Sequence, residues 1–192
     1  MRSLIALTLA LALPVTTLTG QRSRTPAPAE GGLWFAAGLG GGWARVNCAI
    51  CSDEVDGGAG GFLRLGGTVN PRLLIGAEVA AWTHPESSVD QSAWALSAAA
   101  YWYPSRKPLY LKAGLGYTVH HARDGVDVVT SSGVGPQFGA GYEFKLSGNW
   151  VLSPFLNTSF GLFMDDVKFN GGSVTSDVNV SLLQLGLGVL RR

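Results

Sequence analysis

The chain contains eight stretches in which apolar residues alternate with small or polar ones, the first beginning near Leu33 and the last reaching the C-terminus. Because successive side chains of a strand point to opposite faces, each stretch predicts a strand with one apolar face. The connections between the stretches alternate long and short along the chain. This arrangement predicts an antiparallel meander with its long loops at one end and its short turns at the other.

The charged residues within the predicted strands lie opposite the apolar face; they are Arg64, Glu78, Lys112, Glu143 and Lys145. A Lys or Arg that faces lipid at the bilayer midplane costs about 2–4 kcal/mol. We therefore predict that the apolar face contacts lipid and that the charged face lines the interior of a closed barrel. In the fifth stretch, the predicted lipid-facing residues are Leu109, Leu111, Ala113, Leu115, Tyr117 and Val119.

The composition favours a membrane environment over water. Charged residues make up 14% of the 192 residues, hydrophobic residues 46%, and glycine occurs 27 times. A soluble domain typically carries roughly 25–35% charged residues on its surface. A soluble lipocalin-like barrel, with its apolar face inward and its charges outside, is therefore the weaker alternative. The net charge of +1 gives no indication of nucleic-acid binding.

The first 20 residues have the pattern of a secretory signal peptide. Arg2 supplies a positive charge, residues 4–13 are apolar, and small residues follow Pro14. Ten apolar residues are too few for a transmembrane helix, which needs about 20. Cleavage is expected after Gly20 or as late as Ala29. Residues 21–31 are predicted to be a flexible lead-in and residues 32–192 the barrel.

Aromatic residues on the predicted lipid face occur at two levels. Those beside the short turns are Trp102, Phe144 and Trp150; those towards the long loops are Trp43, Trp94, Tyr117 and Phe160. Two aromatic belts flanking an apolar band are typical of outer-membrane barrels. The long loops, at about 46–58, 83–91, 120–132 and 164–177, are then predicted to be extracellular.

Two positions fit the strand pattern poorly. Pro154 lies within the seventh stretch, where its missing N–H predicts a bulge or a frayed hydrogen bond. Leu182 and Leu183 are adjacent apolar residues in the eighth stretch and predict a slip of the alternation there.

Three segments resemble the outer-membrane β-barrel domain family, the small eight-stranded OmpA/OmpX-type barrels: Tyr101-Trp102-Tyr103-Pro104, residues 110–117, and Leu185-Gly186-Leu187-Gly188-Val189. The resemblance covers about residues 31–192. It implies an all-β, eight-stranded antiparallel up-and-down transmembrane barrel in the cell outer membrane, in contact with outer-membrane lipids and lipopolysaccharide and assembled by the barrel assembly machinery. It implies no catalytic residues and no cofactor. Barrels of this family usually end in an aromatic residue, whereas this chain ends in Leu190-Arg191-Arg192, so a degenerate signal or less efficient assembly is expected.

The inward charges are the main candidate site. Buried charges must be paired, since an uncompensated one costs several kcal/mol. We predict an interior network that links Arg64, Glu78, Lys112 and Glu143, with Gln137 and Tyr110 as hydrogen-bond partners. Such a network would act either as a plug that fixes the barrel register or as a gate for a narrow ion path.

Cys48 and Cys51 form a Cys-x-x-Cys motif in the first long loop. In an exported protein this motif predicts a local disulfide, and half a metal site or a redox centre are the alternatives. His84, His120 and His121 lie near the same end. No metal site is predicted from them, because adjacent histidines of a strand point to opposite sides.

The sequence thus predicts a monomeric, non-enzymatic barrel whose role is structural or carried by surface interactions of its extracellular loops. General diffusion of large solutes is not expected, since it needs about 16–18 strands. A narrow ion or small-solute channel is one alternative. A lipid A-modifying enzyme is another, with His120 or His121 as base and Ser131 or Ser132 as nucleophile.

Overall fold

The computed structural model describes residues 32–47, 55–85, 89–105, 108–164, 167–175 and 179–192, and the predicted signal peptide, the lead-in before residue 32 and both cysteines lie outside them. Within these residues the chain forms twelve strands. They are β1 Leu33–Asn47, β2 Val55–Asn70, β3 Leu73–Pro85, β4 Val89–Trp102, β5 Leu109–Asp124, β6 Asp127–Tyr142, β7 Phe144–Lys145, β8 Trp150–Gly161, β9 Phe163–Met164, β10 Val167–Phe169, β11 Gly172–Thr175 and β12 Asn179–Arg191. The described part of the chain has no helix that is long and apolar enough to cross a membrane.

Eight antiparallel segments close into a barrel, as the sequence predicts. Each of β1 to β5 pairs with the next strand, β6 pairs with β8, β8 pairs with β12, and β12 pairs with β1. The short strands β7 and β9 extend β6 and β8, respectively, along the same wall. Among the residues that the structure describes, closure gives each wall strand a paired neighbour on both sides, which supplies the backbone hydrogen bonds that a strand needs in lipid.

The predicted outer face is the exposed face. Most of its large side chains are between 39% and 79% exposed, among them Leu33, Trp43, Leu63, Leu96, Leu115, Tyr117 and Leu187. Leu73, Leu152 and Phe160 are half-buried. Val119 is buried: the pairing of β5 is continuous, so Val119 keeps its outward register, yet it is 7% exposed beside its cross-strand neighbour Trp94. Lys145, predicted to point inward, is exposed at the end of the barrel that carries the short turns.

Glycines on the inner face make room for large interior side chains. A Cβ added at Gly38 would lie 2.5 Å from the Phe62 ring and 2.9 Å from the Phe155 ring. Such a Cβ at Gly76 would lie 2.9 Å from the indole of Trp34. The interior of an eight-stranded barrel is just wide enough to be filled by side chains, so each large residue requires a small one opposite.

The strands extend farther than the sequence predicts at the end that carries the long loops. The predicted loop at 120–132 is instead the continuous end of the β5–β6 hairpin, which turns at Gly125 and Val126. The predicted loop at 164–177 contains the hairpin of β10 and β11. Polar residues predict loops poorly here, because an antiparallel hairpin forms the same hydrogen-bonded ladder where one of its faces is in water.

The two irregular positions behave differently. At Pro154 the pairing of β6 with β8 stops at Gly141 and Phe155 and resumes between β7 and β8 without a change of register, so the missing N–H frays the ladder and makes no bulge. The predicted slip at Leu182 and Leu183 is wrong. The pairing of β12 is continuous on both sides, with Leu182 buried at 1% exposure and Leu183 exposed at 41%.

Candidate functional site in the barrel interior

Three of the four predicted interior charges meet in the middle of the barrel. Arg64 on β2 lies directly opposite Glu78 on β3, and its Nε donates to Glu78 Oε2. Lys112 on β5 reaches past β4 and donates from Nζ to Glu78 Oε1. All three side chains are at least 95% buried. One carboxylate therefore holds two cations, and we refer to Arg64, Glu78 and Lys112 as the central cluster.

Neutral side chains tie the central cluster to the remaining walls. Arg64 Nη1 donates to Tyr110 Oη at 3.1 Å, and Arg64 Nη2 donates to Asn157 Oδ1 on β8 at 3.0 Å. Lys112 Nζ also donates to Gln137 Oε1 at 3.3 Å. With Tyr101 Oη, which donates to Glu78 Oε2 at 3.4 Å, the hydrogen bonds join β2, β3, β4, β5, β6 and β8. The network thus crosses the lumen.

Aromatic rings pack against the central cluster. The guanidinium carbon of Arg64 lies 3.6 Å from the centroid of the Phe62 ring and 5.2 Å from that of Tyr101. The Phe62 ring meets the Phe155 ring edge-on, with centroids 4.7 Å apart. Cation–π contacts of a desolvated guanidinium are worth about 2 kcal/mol or more, so the rings compensate part of the cost of burying Arg64.

Glu143 lies in a second cluster near the short turns. Arg192 Nη2 donates to Glu143 Oε1 at 2.7 Å and to Oε2 at 2.8 Å, and Tyr103 Oη donates to Oε1 at 2.6 Å. Burial, and secondly the charge of Glu143, raises the pKa of Tyr103 well above its usual value, which keeps the phenol a donor. We call Tyr103, Glu143 and Arg192 the periplasmic clasp.

The predicted single network is therefore divided in two. Lys112 pairs with Gly139 on β6, and Glu143 lies four residues farther along, about 13 Å in a strand. The tilted rings of Tyr103 and Tyr110, 5.9 Å apart, connect the two clusters. Sequence reasoning missed Arg192, because a charged residue at the end of a strand carries no signal that its side chain turns into the barrel.

The histidines of the opposite end lie in a polar mouth above an apolar layer. Trp82 is buried and stacks with His84, with centroids 6.1 Å apart. His120 Nε2 lies 3.3 Å from Gln91 Oε1, and Gln91 Nε2 donates to Asp56 Oδ2 at 2.7 Å. Within the described residues, no group of three or more His, Cys, Asp or Glu side chains could hold a metal ion.

The predicted base and nucleophile of a lipid-modifying enzyme do occur opposite each other, because His120 pairs with Ser131 across β5 and β6. Both residues face the interior, His120 at 5% and Ser131 at 3% exposure. His121 lies 3.0 Å from the hydroxyl of Thr130 instead. A lipid ester on the outer wall has no access to the buried pair in this arrangement.

The amino-acid sequence matches one protein family over most of its length. The family described as outer membrane protein beta-barrel domain matches residues 5–189. The chain belongs to this family. Neisserial surface protein A is similar in structure, with a TM-score of 0.54 and 17% identity, over 83% of this chain and 98% of the other. Ail, the attachment invasion locus protein of Yersinia pestis, has a TM-score of 0.50 and 18% identity, over 84% of this chain and 99% of the other. No curated protein matches the sequence.

Membership of this family places the barrel in the cell outer membrane, where hydrocarbon covers its outer wall. The two aromatic belts bound that wall. Trp150 packs edge-on against Phe35 at 5.8 Å near the short turns, and Trp94 meets Tyr117 at 6.3 Å near the long hairpins. Short turns of such barrels are periplasmic and long connections extracellular, so the periplasmic clasp and the polar mouth lie at opposite surfaces.

Proposed function

We propose that this outer-membrane barrel is closed to solutes and acts at the cell surface, where its extracellular hairpins bind an extended polypeptide. The observation that carries the proposal is a small sheet beyond the aromatic belt. There β10 pairs with β6, β11 pairs with β10, and β11 ends the strand order among the described residues. A strand at the end of a sheet presents backbone donors and acceptors to another chain.

One residue fastens this extracellular sheet together. Asn170 in the β10–β11 turn donates from Nδ2 to Asp127 Oδ1 and accepts at Oδ1 from the Val128 N–H, both at 2.9 Å. Its own N–H donates to the Val128 carbonyl at 2.9 Å. Asn170 and Gly171 both have positive φ, as a two-residue hairpin turn requires. The edge strand is thus held in place by specific contacts, which favours a binding surface over a passive connection.

The register defines which backbone groups face the open edge. Phe169 and Gly172 close the two-residue turn and are therefore the hydrogen-bonded pair. Lys168 and Ser173 form the next, non-hydrogen-bonded pair, so the Ser173 N–H and C=O point away from β10. The exposed ring of Phe169 adds apolar surface beside them.

The barrel in lipid nanodiscs, presented to a displayed library of random peptides, tests this proposal. Peptides enriched on the wild type should bind the Ser173→Pro variant about five- to ten-fold more weakly, since proline removes a donor at the open edge. Ser173→Ala keeps the N–H and serves as the matched control. Enriched peptides that bind Ser173→Pro as well as they bind the control would contradict the proposal, and so would a library from which nothing is enriched.

Ail of Yersinia pestis is named as an attachment invasion locus protein. At 18% identity the likeness supports a shared fold, and the proposal for this chain depends on the edge strand instead.

A narrow channel is the second candidate, because the central cluster places charged side chains inside the barrel, where they could act as a gate. The side chains of the cluster and their partners span the lumen, so we expect no conductance in planar bilayers. Glu78→Gln would be the informative variant, because a gate should open or change selectivity when its charge is altered. Single-channel steps in the wild type, altered in this variant, would favour the channel.

A further inference from the structure

Two side-chain amides of the barrel interior have paired oxygen atoms and unpaired nitrogen atoms. Gln137 Oε1 accepts from Lys112 Nζ at 3.3 Å, and Asn157 Oδ1 accepts from Arg64 Nη2 at 3.0 Å. These contacts fix the orientation of both amides, because a cation can donate only to the amide oxygen. Among the described residues, Gln137 Nε2 and Asn157 Nδ2 have no acceptor, although the two side chains are only 1% and 2% exposed.

Two hydroxyl groups near Gln137 are also unpaired. Ser97 Oγ and Thr118 Oγ1 are buried and have no hydrogen-bond partner within the described part of the chain. Ser97 on β4 pairs with Gly116 on β5, and Thr118 lies two residues farther along the same inner face. A Cβ added at Gly116 would collide with Gln137 Nε2 and would lie 2.8 Å from the Ser97 Cβ. The two polar side chains therefore meet over Gly116, and we call Ser97, Gly116, Thr118 and Gln137 the niche.

The niche lies between the central cluster and the apolar layer beneath the polar mouth. Ser97 pairs with Glu78 on β3, and Thr118 pairs with Ala95 on β4. Trp82, four residues beyond Glu78 on β3, belongs to the buried apolar layer. A ligand in the niche would thus have the charges of the central cluster on one side and an indole on the other. Electrostatic interactions are stronger in such an enclosed place than in water.

The central cluster supplies an excess positive charge beside the niche. Arg64 and Lys112 share the carboxylate of Glu78, while the buried carboxylate of Glu143 is held by Arg192. Lys112 Nζ has three N–H groups, of which the described residues accept two. A buried charge is strongly destabilising unless it is paired, so the excess positive charge favours a negatively charged partner.

We propose that the niche binds one small inorganic anion of the size of chloride, as the counter-charge of Lys112. Gln137 Nε2 and the third N–H of Lys112 can only donate, and the two hydroxyls of the niche can donate as well. A water molecule would need acceptors for its own hydrogen atoms, whereas the nearby oxygens of Glu78 and Gln137 already accept from cations. An anion needs donors alone.

Anion binding in the niche requires no passage through the barrel. The central cluster and its partners cross the lumen on the periplasmic side of the niche, so an anion that enters from the extracellular end stops there. The inference concerns the interior and is independent of the proposed binding of a polypeptide by the extracellular hairpins.

Crystals of the barrel soaked in sodium bromide locate the anion, because bromide resembles chloride and has an anomalous signal that water lacks. We expect one bromide within hydrogen-bond distance of Gln137 Nε2 and Lys112 Nζ in the wild type. The Gln137→Glu variant should hold none, since its carboxylate would supply the counter-charge from the chain itself. A niche without anomalous signal in the wild type holds water only and would overturn the inference, and so would bromide bound equally in both proteins.

Urea unfolding in lipid vesicles at constant ionic strength, with chloride replacing the much larger gluconate, measures binding in solution. An anion that binds only the folded barrel should lower the unfolding equilibrium constant about ten-fold between zero and about 0.3 M chloride. Ser97→Ala removes one donor and should reduce this effect to about three-fold or less. Ser153→Ala is the matched control, because Ser153 is as deeply buried in the inner wall but its hydroxyl donates to Tyr110.

The control variant should keep the ten-fold effect of the wild type. Thr118→Val, which preserves the shape of the side chain, should behave like Ser97→Ala and serves if that variant does not fold. The absence of a chloride effect in the wild type, or an equal effect in the niche variants and the control, would contradict the proposal. Heat-dependent migration on a gel verifies that every variant is folded before the comparison is made.

Discussion

Replacement of Glu78 by glutamine should destabilise the barrel more than any other single change in the central cluster. Glu78 accepts hydrogen bonds from Arg64, Lys112 and Tyr101 and is 2% exposed. Glutamine keeps the shape of the side chain but leaves two buried cations without a carboxylate. Removal of one partner of a buried ion pair costs about 3–5 kcal/mol, and we expect a loss of that size in the free energy of unfolding.

The central cluster contains two cations and one carboxylate, so the removal of one cation should destabilise the barrel less than the removal of the carboxylate. Lys112→Met leaves Arg64 and Glu78 as a balanced pair and removes the desolvation cost of the ammonium group. The change loses one charge-assisted hydrogen bond and leaves the Gln137 carbonyl without its donor. We expect a loss of about 1–2 kcal/mol, well below that of Glu78→Gln.

Equilibrium unfolding by urea in lipid vesicles, followed by tryptophan fluorescence, measures both losses. Asp124→Asn, at the exposed tip of the β5–β6 hairpin, is the control and should change stability by less than about 0.5 kcal/mol. If Lys112→Met lowers the free energy of unfolding as much as Glu78→Gln does, or more, then Glu78 is not the group that stabilises both cations, and the reasoning is refuted.

Three further predictions concern other parts of the barrel. Gly66→Ala should lower the free energy of unfolding in urea by about 1–3 kcal/mol, because the new Cβ would collide with the backbone of the neighbouring strand. The Cβ of Gly67→Ala meets open space and should change stability by less than about 1 kcal/mol, so equal effects would contradict this prediction. Arg192→Ala removes the partner of the buried Glu143 carboxylate and should lower the free energy of unfolding by about 3 kcal/mol. Arg191→Ala, on the outer wall, should lower it by about 1 kcal/mol or less, and the reverse order in the same assay would refute the periplasmic clasp. Asn170→Ala should increase the rate of hydrogen exchange of the β10 and β11 amides about ten-fold, while the rates of the barrel amides stay unchanged. Unaltered exchange in β10 and β11 would show that the Asn170 side chain does not hold the hairpin in place.

The interior cluster illustrates what can be predicted from a sequence pattern. The sequence predicts that Arg64 and Glu78 join one network, because both point inward on neighbouring strands. Their position directly opposite each other depends on the irregularity between Thr68 and Asn70, which shifts the register of β2 against β3 by one residue from the register at the turn. The contact of Asn157 with Arg64 was not expected, since β1 and β12 separate their strands. It depends on curvature of the wall and on interior glycines that let the two side chains meet across the lumen.

The hairpins at the extracellular end illustrate what a sequence pattern cannot predict. The turn residues Asn170 and Gly171 are a strong local signal for a hairpin, but their position above β6 follows from hydrogen bonds to Asp127 and Val128 on another hairpin. The sequence pattern of residues 164–177 does not predict those contacts. The edge strand is therefore recognised in the tertiary structure, where the two hairpins lie side by side.

The sequence by itself determined the number of wall strands, the face of each that contacts lipid and the aromatic belts, because side-chain parity and hydrophobicity are local properties of a strand. The tertiary structure decided which inward charges meet: it joined Lys112 to Glu78 across β4 and placed Glu143 with Arg192 instead. The physical reason is that parity gives only the direction of a side chain. Its height and its angle around the barrel depend on the stagger and tilt of all eight strands together.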